Sequence, residues 1–205
     1  MIKKERLAAK FFKDLIWHFA GREKELFLTF DDGPTPEVTP LVLETLAKYN
    51  AKATFFCIGE KVINNPEIYE QIISEGHAIG NHSFSHLKGW ITGNKDYIDD
   101  VKKAEEVIHS DLFRPPYGRI KPAQSYELKK DYHIIMWDVL TKDYDENVDP
   151  EKCLNYVLNH SEGGSIIVFH DTPKALKNLK YVLPKVLEHY SEKGFLFKTI
   201  DFPNE

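Results

Sequence analysis

Two carboxylates, Asp31 and Asp32, stand side by side where the apolar run 26–30 breaks off at Gly33-Pro34. A short apolar run closed by a Gly-Pro turn reads as a buried strand. Both acids then sit at its C-terminal end, where parallel α/β folds carry their chemistry. Neighbouring side chains leaving a strand end diverge, so one acid can hold a metal while the other faces a substrate; the assignment is Asp32 as ligand and Asp31 as base. Downstream, Asn81-His82-Ser83-Phe84-Ser85-His86 offers two imidazoles four residues apart in a loop. That spacing lets the chain wrap one metal, because imidazole nitrogen coordinates at about 2.0–2.1 Å. With Asp32 they make a two-His, one-carboxylate set, which leaves positions open for water and substrate and so suits catalysis better than a structural site.

Three further stretches carry polar groups in the same relation to a strand. They are Phe113-Arg114-Pro115-Pro116-Tyr117-Gly118, where the prolines fix the backbone around Arg114 and the Tyr117 amide; Trp137-Asp138 with Asp143-Tyr144; and Phe169-His170-Asp171-Thr172. Alone, each has an ordinary structural reading: a polyproline turn with a solvated arginine, surface acids on a loop, and a helix cap preceded by a packed histidine. Together they share one position, the C-terminal end of a predicted strand, which is the rim of a parallel barrel that bears active sites.

The elements that must position these residues are legible as apolar runs. Strands are expected at 26–30, 53–58, 77–80, 112–114, 134–139, 165–169 and 195–200, with helices between them and Asp171-Thr172-Pro173 as the N-cap of the last helix. About seven alternations of strand and helix, without a Rossmann glycine fingerprint, favour a parallel barrel over an open sheet, one unit short of the usual eight. Ahead of it, Leu7, Phe11, Leu15 and Phe19 recur every four residues. This predicts an amphipathic helix within residues 1–25, packed on a domain that occupies 26–205.

At 205 residues the chain fits one domain, and 29% charged and 42% hydrophobic residues describe an ordinary globular protein. A formal charge of −5 with dispersed Lys and Arg gives no nucleic-acid footprint. Cys57 and Cys153 are too few for a disulfide framework, and Cys57 reads as a buried strand thiol. No run is apolar for long enough to span a bilayer, and Lys10, Lys13, Asp14 and His18 interrupt any secretory h-region. The expected location is therefore cytoplasmic, with non-classical export or peripheral membrane association as the alternatives.

Taken together, the five stretches resemble the motifs of the polysaccharide deacetylase family, the carbohydrate esterases that share the NodB homology domain. The resemblance runs over 26–200. It implies a distorted (β/α)7 barrel of the TIM-barrel type, a divalent metal with zinc first and cobalt, nickel, manganese or iron as substitutes, and an N-acetylated carbohydrate substrate. It also implies that Asp31 is the base, that Asp32, His82 and His86 are the metal ligands, and that Arg114 orients Asp31. The Tyr117 backbone N–H would hold the oxyanion, and His170 would be the acid, with Asp143 as its partner. The chain departs from the family pattern at Leu140, where an aspartate is usual, at Tyr144, where a tryptophan is usual, and at Val168, where a leucine is usual. These changes alter the shape of the acyl pocket, so beside N-acetyl sugars the resemblance leaves O-acetyl esters of the acetyl-xylan type and small non-sugar amides as alternative substrates. Two readings from other classes compete. An iron oxygenase shares the ligand set but needs no paired base and acid; a carbohydrate-binding barrel would be favoured by loss of any one of Asp31, Asp32, His82, His86 or His170, and none is lost.

Overall fold

In the computed structural model, which describes residues 12 and 14–202, strand β1 (Glu25–Asp31) is the axis of the sheet. Its side chains alternate as a pleated strand requires. Leu26, Leu28 and Phe30 pack with Val42, Leu46, Val182 and Val186 from the helices, whereas Phe27 joins Phe56, Leu112, Ile135 and Ile166 in a separate cluster. The same period of two puts Thr29 and Asp31 on the Phe27 side, the concave face.

Strands β2 (Thr54–Cys57), β3 (Ala78–Asn81), β4 (Leu112–Phe113), β5 (His133–Ile134), β6 (Val139–Leu140), β7 (Ile166–His170) and β8 (Leu196–Phe197) complete the sheet. The order is β5-β4-β3-β2-β1-β7-β6, with β8 paired to β1, and every ladder is parallel. Helices α1 (Thr39–Lys48), α2 (Gly59–Asn64), α3 (Pro66–Ser74), α4 (Asn94–Ala104), α5 (Pro122–Leu128), α6 (Pro150–His160) and α7 (Leu176–Glu192) connect them. Proline opens the first turn of α1, α3, α5 and α6, where its missing N–H costs nothing. The sheet curls into an incomplete barrel, as expected of a distorted (β/α)7 fold.

Three local expectations are corrected. The single strand expected over 134–139 arrives as two pieces, β5 against β4 and β6 against β7, so one stretch of chain bridges the two edges of the sheet. Its middle cannot pair like a strand because its backbone groups are taken. Arg114 binds the carbonyls of Ile135 (3.2 Å) and Met136 (3.1 Å), and Ile16 exchanges bonds with Ile134 and Met136. The second correction concerns the expected N-terminal helix. Residues 1–11 and 13 lie outside the described residues, but 14–19 are not helical: Ile16 bridges Ile135 and His18 bridges Ser165, with Leu15 buried. Third, Asp171 does not cap a helix. Its carboxylate accepts from Thr39 Oγ1 at 2.5 Å, and Thr172 precedes a 3-10 turn without a side-chain cap.

Candidate active site

Parallel register brings the chemistry to one level. Asp31 and His170 are directly paired neighbours on β1 and β7, while Cys57 pairs with Asn81 and Asn81 with Phe113 on the other side. Adjacent strands lie about 4.8 Å apart, so the residues that leave β1, β3, β4 and β7 converge over the same end of the sheet.

Asp31 is buried and accepts from Arg114 Nη1 at 2.7 Å. Arg114 is fully buried. The same nitrogen also reaches Thr29 Oγ1 (2.7 Å), and the guanidinium lies 4.0 Å from the Phe56 ring centroid. A cation so enclosed is tolerable only because a carboxylate and three neutral oxygens share its donors. The same residue acts a second time through its backbone, whose carbonyl accepts from His82 Nδ1 at 2.8 Å.

That bond decides what the next group can do. With Nδ1–H donating, neutral His82 presents an unprotonated Nε2, which lies 3.4 Å from Asp32 Oδ1; His86 Nε2 lies 3.0 Å from the same oxygen. All three atoms fall within 4.8 Å of one another. A lone pair facing a carboxylate oxygen is repulsive unless a cation stands between them, so the donor set fits a divalent metal. Burial pushes the Asp32 carboxyl up, but with protons on the facing imidazole nitrogens, and the His170 charge beyond, it is held well below the usual carboxylate range; a divalent cation would take the place of those protons and keep the carboxylate ionised as a ligand must be. Asp32 is reached through a left-handed backbone (φ 76°), and Lys61 Nζ holds its carbonyl at 2.6 Å. Among the described residues, Ser83, His86, Tyr117 and Lys142 share this costly conformation in loops that follow strand ends, and Asn50 adopts it away from the site, just after α1. Such strain persists only where the surroundings over-determine it, and it clusters at functional sites.

The loop of β3 is clamped from three sides. Asn81 Oδ1 accepts the Ser83 N–H, Ser83 Oγ accepts the His86 N–H, and Asp100 Oδ2 on α4 accepts the N–H groups of both Phe84 and Ser85 at 3.1 Å. On the opposite side, fully buried Asp143 accepts from His170 twice: from the backbone N–H (2.8 Å) and from Nδ1 (2.8 Å). Burial disfavours a charged His170, but the Asp143 carboxylate overrides it, with smaller help from Asp31 and Asp32, and lifts the imidazole to about 9. His170 is therefore protonated at neutral pH, with Nε2 left for chemistry. Asn178 on α7 fastens the Asp143 and Asp145 carbonyls, and Tyr144 meets the His170 ring edge-on at 4.7 Å.

A cleft of about 860 Å³ opens onto this centre. Asp31, Asp32, His82, His86, Tyr117 and His170 line it, while Arg114 and Asp143 stand behind their partners. Trp137, Leu140, Tyr144 and Val168 form an apolar wall, so all three departures from the family pattern face the cleft. Asp138 does not join the site. It binds Ser165 Oγ and the Ile166 N–H, both at 2.9 Å, at the far end of β7. Sequence reasoning missed Thr29, although its place two residues before Asp31 on one strand face was a usable signal. It also missed Lys61, Asp100 and Asn178, whose helical positions carried none.

Comparison with known proteins gives four findings. Residues 20–133 match the family model described as polysaccharide deacetylase. A peptidoglycan-N-acetylglucosamine deacetylase of Bacillus cereus is 35% identical over 191 residues, covering 90% of each chain. Among solved structures, the Bc1960 peptidoglycan N-acetylglucosamine deacetylase superposes with a TM-score of 0.83 at 31% identity, over 94% of each chain. A CE4 family pseudoenzyme from Bacillus anthracis is also similar, with a TM-score of 0.79 at 25% identity, over 90% of this chain and 66% of that one.

Proposed function

Given that the chain belongs to the polysaccharide deacetylase family, we propose that it is an active hydrolase which removes N-acetyl groups from an amino-sugar glycan of the peptidoglycan or chitooligosaccharide type. The observation that carries this reading is the pairing of an Arg114-held carboxylate, Asp31, with an Asp143-held imidazolium, His170, across one strand register. A base and an acid set on either side of a bound amide are what hydrolysis of an N-acetyl group requires.

A divalent metal held by Asp32, His82 and His86 would supply Lewis acidity, polarising the acyl oxygen and acidifying water. Zinc suits this nitrogen and oxygen donor set best. Asp31 takes the proton from the attacking water, and Arg114 keeps its carboxylate aimed. The Tyr117 N–H donates to the oxyanion that forms at the former carbonyl. The turn bearing it is closed by the Gly118 and Arg119 amides on Pro115 and Pro116, which fixes its direction. A preorganised donor of this kind is worth roughly 3–4 kcal/mol. His170 then passes a proton to the amine nitrogen as the C–N bond breaks, because an unprotonated amide nitrogen is too basic to leave. Acetate and a free amino sugar result.

The test is acetate release from N-acetylated glycan oligomers by stripped and metal-reloaded protein, with acetylated xylan as the ester comparison. Turnover that needs the metal and is lost in Asp31→Asn supports the reading. Turnover of the ester alone would make the protein an O-acetyl esterase. Metal-loaded protein that binds glycan without releasing acetate would place it with the pseudoenzymes.

A further inference from the structure

The cleft falls within the size range of pockets that hold small ligands, so a polymer threaded through it must continue over the neighbouring surface. Trp90 lies in that surface. It is 58% exposed, and its ring pairs with the Arg119 guanidinium 5.0 Å from the centroid, while Arg119 itself lines the cleft. The segment carrying Trp90 is not a loose tip. Gln124 Nε2 holds the Gly89 carbonyl at 3.0 Å, and Lys121 Nζ holds that of Thr92 at 2.7 Å. Gly89 packs so closely on the Arg119 backbone that a Cβ there would lie 2.4 Å from its carbonyl oxygen. A large aromatic is thus presented to solvent from a braced loop, tied at both its backbone and its ring to a residue of the catalytic cleft.

We propose that Trp90 and Arg119 form a glycan subsite at the rim of the catalytic cleft, with the indole stacking on the apolar face of a sugar ring and Arg119 pairing with a carboxylate on the same glycan strand. Exposing an indole costs solvation that only a partner regains, and the C–H face of a pyranose is such a partner. The charge pattern adds the carboxylate. Arg119, Lys88 and Lys174 are exposed cations around the cleft, whereas its acids are Asp31 and Asp32, both engaged in the centre itself. This is a cationic mouth on a chain of net charge −5, which selects an acidic glycan over a neutral one.

The proposal rests on the deacetylase reading for its substrate but not for its test. Trp90→Ala, Trp90→Phe and Arg119→Gln are compared with the parent protein on neutral N-acetylglucosamine oligomers of increasing length and on glycan oligomers bearing carboxylates. Both turnover and binding are measured, the latter by titration calorimetry, which does not depend on the substituted tryptophan. Trp90→Ala should raise KM by a factor that grows with length, to about tenfold on the longest oligomers, and Trp90→Phe should recover most of it. Arg119→Gln should raise KM for the carboxylate-bearing oligomers more than for the neutral ones and reduce the salt dependence of that difference. A KM ratio of Trp90→Ala to parent that stays near one at every length, with unaltered binding of long oligomers, would overturn the subsite. If no glycan is turned over but long oligomers bind the parent protein and Trp90→Phe more tightly than Trp90→Ala, the subsite stands and the deacetylase reading fails.

Discussion

Asp31 and Asp32 are adjacent in sequence and alike in type, yet their surroundings differ in kind: one faces a buried guanidinium, the other two imidazoles. Neutralising them should therefore fail differently. Asp31→Asn should retain metal and lose about 10²- to 10⁴-fold in turnover, whereas Asp32→Asn should lose metal affinity first; a metal titration of both variants checks this, and the opposite pattern would exchange the roles. His170 supplies the pH dependence. Its acid form is required, and its pKa of about 9 puts the descending limb of kcat/KM on the alkaline side, at or below that value once a cation offsets the Asp32 charge. Asp143→Asn removes the charge and leaves the burial, which favours neutral imidazole, so that limb should move to lower pH. An unmoved limb would assign the descending step to another group.

At the scale of elements, the site depends on helices that never touch the substrate. Asp100 on α4 accepts two amides of the loop that carries His82 and His86, so Asp100→Ala should leave the fold intact and loosen that loop. The expected result is a fall of about tenfold in metal affinity, the usual penalty for removing an outer support of a metal ligand, read by competition with a chelating dye. Unaltered affinity would mean that Asn81 and Ser83 hold the loop without help. The broken fifth strand has the same logic. Its carbonyls at Ile135 and Met136 are diverted to Arg114, so the sheet gives up ladder bonds to hold the cation that holds the base.

For the whole molecule, buried titratable groups tie folding to pH. His77 is buried, accepts from the Ala53 N–H at 3.2 Å, and is pushed down to about 4 by burial, aided by Lys52. Between about 4 and 6.5 the unfolded chain binds a proton that the native state refuses. The stabilisation is therefore complete above 6.5 and is lost as pH falls toward 4, by about 2 kcal/mol between pH 7.5 and 5. Asp171, raised to about 6 by burial, slopes the opposite way over much of that window, so the comparison must be between proteins rather than between pH values. His77→Gln should lose less stability than the parent on that acidification, measured by urea midpoints; equal losses would show that His77 is not held neutral. The sequence by itself determined the parallel barrel and singled out eight candidate residues that the structure gathers at one end of the sheet, because apolar runs ending in Gly, Pro and polar groups mark where strands stop, and strand ends are where such folds place chemistry. It could not determine that 134–139 would split or that residues 14–19 would extend along the gap, and it pointed to Asp143 as the partner of His170 only through the family resemblance. Those outcomes turn on which buried donor meets which acceptor across the barrel, and such pairings are decided by register and packing between segments far apart in the chain.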